Sequence, residues 1–341
     1  MERNGRGKIL IAFLTAAVIV RALAATGVDA AAQRALTGEF DAERLAPPAP
    51  PAQTTEDRVW VLHVLPPADE PPAPAEPEPE MPEKPPYPPF TEAEAEDLSV
   101  AGSSTYDVDK AALLLAPGPL DLSLAGAKVL VVHTHTCEAY TQSPGWEYPE
   151  SDALRTTDPE RSVVQVGRVV AEELTAAGIE TLHDETLHDY PRYNGAYARS
   201  LETVERELAE HPSVQVVVDL HRDAAADPEG NPLRQTVTTP EGEAARIMLV
   251  VGTDEGGLTH PGWRDNLSFA LKVQAAAERI APGICRSVDL RRERFNQHVR
   301  PGAVLAEIGS TGNTLPEAIL AGKIFARALA DAMTIASADR V

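Results

Sequence analysis

Cationic charge is what this sequence has little of: 30 lysine and arginine residues stand against 52 aspartate and glutamate, a formal net charge of -22. That balance excludes nucleic acid as a partner, because binding DNA or RNA takes basic surface to neutralise phosphates. Cysteine is scarcer still. Cys137 and Cys285 are the whole complement, too few for a disulfide framework and without the paired spacing of a structural zinc site. Sequence leaves open whether the two pair with each other. Long apolar runs are missing too, except at the amino terminus.

There, "MERNGRGK" carries three basic side chains and one acidic, and "ILIAFLTAAVIVRALAA" follows with Arg21 as its only charge. A basic flank before an apolar segment is the pattern of a signal anchor whose amino end stays in the cytoplasm. A helix over 8–25 reaches roughly 27 Å at ~1.5 Å per residue, near the hydrocarbon thickness if Arg21 snorkels. The rival expectation is cleavage after Ala24, where "ALA" fits a small-residue cleavage site. Either way the rest of the chain faces outward. More than half of the 30 prolines then fall between Ala46 and Phe90. Proline removes backbone donors and the interspersed glutamates repel, so 26–98 reads as an extended, disordered stalk. The apolar island "VWVLHVL" (59–65) interrupts it, read either as a short sticky strand or as a docking strand for a partner.

From Ser99 the composition becomes that of a globular domain, expected to run over 99–338. Strand 128–132 leads to a helix over 162–177 that ends at Gly178, then to the short strand "IETLHD". A helix over 198–210, strand 214–220, the strand "ARIMLVVG", the helix "NLSFALKVQAAAERIA", the strand "AVLAEIG" and a last amphipathic helix from Leu315 follow. Such alternation predicts an α/β fold: a mostly parallel twisted sheet with helices on both faces. In such sheets, sites form outside the carboxyl ends of the strands.

Three strands end there in ionisable groups. "VLVV" runs into His133, His135 and Glu138; "VQVVVDL" into His221, Arg222 and Asp223; "AVLAEIG" holds Glu307. Two imidazoles and a carboxylate suit Zn²⁺, and a catalytic zinc site takes three protein ligands plus an open position. The expected ligands are His135 and Glu138, one turn apart, and His221 from the next strand. Glu307 is the expected proton acceptor and Arg222 the stabiliser of the oxyanion, which together give a metal hydrolase. His133 is the alternative ligand or a substrate neighbour, and Asp223 an orienting group. His183 and His188 read first as a polar loop and second as lining of a substrate groove. A Cys137 nucleophile is the weaker hypothesis, since no thiol-hydrolase signature surrounds it.

These residues stand within a longer pattern. "VLVVHTHTCEAY", "RTTDPERSVVQVG", "GIETLHDETLHDYPRYNGAYARS", "VVVDLHRDA", "HPGWRDNLSFALKVQ" and "RFNQHVRPGAVLAEIGSTGNTLPEA" resemble, in order and spacing, the stage II sporulation protein P family. The resemblance runs from Tyr106 to the last helix. It implies an amidase-like fold and a membrane-anchored peptidoglycan hydrolase of sporulation that acts at the septal, engulfing membrane. That activity is zinc-dependent cleavage of the N-acetylmuramoyl-L-alanine amide, with endopeptidase action on cross-links. It further implies stage II sporulation proteins D and M as partners. The family's motifs fall on His133, His135 and Glu138, on His221 to Asp223, and on Glu307. Cys137 stands where a threonine is expected. In the wider amidase class the carboxylate ligand precedes a helix, which makes Glu160 the rival of Glu138. A non-catalytic or partner-activated wall-binding module is the alternative function.

Overall fold

The computed structural model describes residues 88–118 and 120–338; the expected anchor, most of the stalk and the 59–65 island lie outside the described residues. Apolar, β-branched runs make the strands that carry the molecule. β1 (Val100–Gly102), β2 (Val129–Val132), β3 (Thr181–His183), β4 (Val216–Asp223), β7 (Ile247–Gly252), β8 (Val288–Arg291) and β9 (Gly302–Ser310) form one sheet in the order β1-β8-β7-β9-β4-β2-β3. Every pairing is parallel except β7 with β9. That antiparallel junction divides the sheet, so the carboxyl ends of β9, β4, β2 and β3 share an edge with the amino ends of β7, β8 and β1. β5 (Thr236–Thr239) and β6 (Gly242–Ala245) form a separate hairpin that the sequence pattern did not announce.

Helices α1 (Glu92–Asp97), α2 (Lys110–Leu115), α3 (Val163–Ala176), α4 (Ala196–Glu210), α5 (Trp263–Ile280) and α6 (Leu315–Ala338) cover the sheet unequally. Alternate strand residues point to opposite faces. Val129, Val131, Val216, Val218, Leu220, Val304, Ala306 and Ile308 enter one large core with α3, α5 and α6. Leu130, Val132, Val217 and Ala303 face the other way into a small core with Val204 and Leu208 of α4. Helices therefore lie on both faces, as expected, but among the described helices only α4 covers the second. The folded unit also reaches further back than Ser99: Phe90, Ala95 and Leu98 are buried in the large core, so the last residues assigned to the stalk belong to the domain. Thr91 caps α1 with a reciprocal bond to Glu94, the local reason a helix starts there. Among the described residues no helix is long and apolar enough to cross a membrane.

Candidate active site

β2, β4 and β9 are neighbours, so their polar ends meet at one edge. His221 and Glu307 are direct partners across β4 and β9, and Asp219 pairs with Val132 of β2. Past Val132 the chain turns at once: the Glu138 N–H donates to His135 O at 3.1 Å, which folds both side chains into one turn. The rings of His135 and His221 meet edge to face, centroids 5.3 Å apart. His221 Nδ1 lies 3.4 Å from Glu138 Oε2 and its Nε2 lies 2.9 Å from Asp219 Oδ1, off the N–H axis. The structure thus brings His135, Glu138, His221 and Glu307 to one edge.

His133 points elsewhere. It is fully buried, with Nδ1 2.8 Å from Leu220 O and Nε2 2.8 Å from His183 Nε2. A proton on Nδ1, needed to meet a carbonyl, leaves Nε2 as acceptor, so His183 donates to it. Gly167 of α3 makes room: a Cβ there would come within 2.5 Å of His133 Nε2. His188 bridges His133 O and the Thr203 hydroxyl. These three histidines hold the structure together, and His133, the alternative ligand or substrate neighbour, has both ring nitrogens taken by Leu220 O and His183. The chain has left the alternating geometry of a strand by residue 133.

Arg222 also differs from expectation. Its Nε donates to Ala139 O at 2.9 Å and its Nη2 to Leu154 O at 3.2 Å, while its backbone N–H donates to Glu138 Oε2. A guanidinium spent on backbone carbonyls positions the turn that carries Glu138 and is not free for an oxyanion. Glu160 is 56% exposed in its side chain and paired with Arg168, apart from the cluster. Asp223 pairs with Arg286. Cys137 and Cys285 are free thiols, and burial pushes the Cys137 thiol up to about 12, which suppresses the thiolate a nucleophile needs.

Charge inside the cluster is organised by burial first. Burial alone raises Glu138, but the contact and charge of His221, then Arg222 and His135, outweigh it and hold the carboxyl below the usual range. Burial likewise opposes the charge on His221, yet Asp219 and Glu138 raise it well above the ordinary histidine value. Asp219 is lowered against its burial by His221 and by bonds from Thr134. Glu307 goes the other way: burial, reinforced by Glu138 and Asp223 against His221 and Arg222, pushes it up to about 8. Neighbouring carboxyls with opposed shifts are the mark of acid and base roles divided by environment.

Sequence reasoning missed several contributors. Asp219 takes both the N–H and the hydroxyl of Thr134, each at 2.7 Å, which aims it at His221. A signal existed, since Asp219 is a lone charge in an apolar strand two residues before His221 and therefore on its face. Asp189 is buried, receives the Arg155 guanidinium and the Cys137 N–H, and lies 3.7 Å from His135 Nδ1. Tyr193, 55% exposed, stacks on His135 at 4.4 Å. No spacing pointed to either.

The donor set fits a zinc ion in kind and burial. Among the described residues His135 Nδ1 and Glu307 Oε2 are buried without hydrogen-bond partners, and the His221 ring lies between the Glu138 and Asp219 carboxylates, a donor set that a metal ion would draw together. The set is open: among the described residues, the group with three ligand atoms within 4.8 Å of one another is Glu207, Glu210 and His211, at the far end of α4. In that group Arg206 already pairs with Glu207.

A mixed α/β sheet with two histidines and three carboxylates at one edge is the framework the chain presents. The chain belongs to the stage II sporulation protein P (SpoIIP) family, which matches residues 73–330. It is 25% identical over 201 residues to stage II sporulation protein P of Bacillus subtilis (strain 168), covering 55% of this chain and 47% of that one. The chain thus spans about half the length of this relative. Among solved structures it is similar to the N-acetylmuramoyl-L-alanine amidase AmiC2 of Nostoc punctiforme at 15% identity and a TM-score of 0.34, covering 61% of this chain and 96% of that one. The amidase Ami1 of Mycobacterium abscessus matches at 13% and 0.36, covering 61% and 97%. Likeness at that level is distant, and no residue role rests on it.

Proposed function

We propose that this chain is a peptidoglycan hydrolase of sporulation that cleaves the amide between the muramoyl lactyl group and the first residue of the stem peptide, with cross-link peptides as a second target. Zinc is the proposed cofactor, with His135, Glu138 and His221 as ligands. The observation that carries the reading is Glu307, in register with His221, whose Oε2 is buried without a hydrogen-bond partner among the described residues.

Bound zinc supplies Lewis acidity at the scissile carbonyl and lowers the pKa of water. The chain supplies the rest. Glu307, beside His221 with a buried Oε2 that no described residue occupies, takes a proton from the attacking water and hands it to the departing amine. Thr134 fixes Asp219 against His221, and the Arg222 N–H fixes Glu138, so the ligands are held by partners of their own. Tyr193 covers His135 from solvent. We place the activity outside the cytoplasmic membrane, tethered by the 8–25 segment, at the septal or engulfing membrane, in company with stage II sporulation proteins D and M. The open ligand set favours a second reading, a module that a partner must close before it cuts.

The test is digestion of purified peptidoglycan by the full chain after chelation, with and without restored zinc, the products read by mass. Zinc-dependent release of stem peptides supports the amidase, and Glu307→Gln is then expected to keep zinc and lose turnover by several orders of magnitude. Product only on adding the partner proteins supports the second reading. No product under any of these conditions discards hydrolysis.

A further inference from the structure

The second face of the sheet is closed by α4 over β2, β4 and β9, and among the described residues no helix covers it beyond β9. There a groove of about 610 Å³ runs over the amino ends of β7, β8 and β1. It begins where the site ends. Met248, in its wall, is the cross-strand partner of Glu307, and Asp223, also in its wall, follows His221 by two residues on β4. Its volume lies within the ~300–1,000 Å³ of ordinary ligand sites.

We propose that this groove binds the stem peptide of the substrate, on the leaving side of the scissile amide; the inference rests on the hydrolase reading above. Its lining carries charge of both signs, with Arg246 and Arg286 against Asp223 and Asp289, and includes no aromatic residue. A stem peptide brings carboxylates, backbone amides and the free amine of a diamino acid, which pair with guanidinium, amide and carboxylate groups. A sugar ring packs best on a flat apolar ring, and those stand on the opposite flank, where Tyr193 stacks on His135 and Tyr190 is 46% exposed.

The groove also holds unspent hydrogen-bonding capacity. Arg286 uses one nitrogen on Asp223, at 2.5 Å, and among the described residues the rest of its fork donates no hydrogen bond. Arg246 spends Nε and Nη2 on the carbonyls of Gly283 and Cys285. Gln235 Oε1 is buried without a hydrogen-bond partner among the described residues, a cost that a peptide N–H would relieve.

The experiment uses the full chain carrying Glu307→Gln and titrates it by calorimetry with two probes: a synthetic stem peptide containing a diamino acid, and the peptide-free disaccharide. Adding Arg286→Ala, or Ala101→Trp to fill the groove from an exposed position, is expected to weaken the peptide by about tenfold or more and leave the disaccharide unchanged. In the active chain the same two changes raise KM for stem-bearing substrate and leave kcat alone, the sign of lost uniform binding. Peptide affinity unchanged in both variants, equal loss for the disaccharide, or no peptide binding to the parent would each overturn the groove assignment. Groove-dependent peptide binding by a chain that hydrolyses nothing would retain it and sink the hydrolase reading alone.

Discussion

Neighbouring residues of β4 face two different surroundings. Val216, Val218 and Leu220 point into the large core, while Val217, Asp219, His221 and Asp223 point under and beyond α4, and polarity on that side rises towards the carboxyl end. One face is closed by three packed helices and its side chains are interchangeable in kind, apolar and branched. The other is covered over part of its width, and the polar residues of β4 on it stand beside charged neighbours, His221 between Glu138 and Asp219 and Asp223 against Arg286. The difference teaches that stability and chemistry are separated here by the period-two alternation of a single strand, not by separate domains.

Adjacent substitutions break that comparison most sharply. His221→Ala is expected to abolish zinc binding and lower turnover by several orders of magnitude, with modest change in folding. Leu220→Ala, one residue away, should do the reverse and destabilise by ~2–5 kcal/mol through lost burial and a cavity, with kcat retained below its melting point. Metal content by mass spectrometry and urea unfolding of the pair settle it. Retained stoichiometric zinc in His221→Ala would move the ligand assignment off β4.

Protonation sharpens the boundary from the core side. Burial holds His133 down to about 4, from an ordinary 6.5, and His183 well below its ordinary value. The unfolded chain takes up these protons first as pH falls, so stability is lost between about 6.5 and 4, on the order of 3 kcal/mol for His133 alone. His221 has the opposite sign: its contribution is complete below 6.5 and is lost only as pH rises through its raised value. Urea midpoints across the acid window should therefore fall steeply in the parent and less so in His133→Asn. Equal slopes would mean that His133 does not carry the effect.

A smaller step is expected from the support of a ligand. Asp219→Asn keeps the shape and the Thr134 contact but removes the charge beside His221, and should cost about 10- to 100-fold in zinc affinity or activity. If instead the loss matches His221→Ala, Asp219 is itself a ligand.

How much of this was legible varied with the physics. The strands 128–132 and 214–220 and the long helices were readable because buried parallel strands are continuous apolar runs and helices carry their own periodicity. The convergence of His135, His221 and Glu307 followed from placing each at a strand end. The antiparallel turn of β7 against β9 was not readable, because apolar β7 looks the same in either direction. β1 and β8 were missed because each is very short, β1 is largely exposed and β8 alternates with the charged Asp289 and Arg291. His133 stood as the alternative to His135, and its place could not be read because strand alternation stops at Val132, the last residue of β2. Asp189 and Tyr193 reach His135 only through the fold of the 184–195 loop, which leaves no periodic trace.

Glu160 is where sequence left two answers, and where the smallest effect is expected. Its carboxylate is more than half exposed and 2.5 Å from Arg168, which also pairs with Glu185. An exposed ion pair contributes ~0–1 kcal/mol, and Arg168 keeps its second partner when the first is removed. Glu138 is buried, contacts His221 and is fixed by the Arg222 N–H. Glu160→Ala should therefore leave zinc content and turnover unchanged and shift the urea midpoint slightly at most, while Glu138→Gln loses zinc. The opposite pattern would give the carboxylate ligand to the residue that precedes α3, and would require the 157–162 segment to close over His135 when the metal binds.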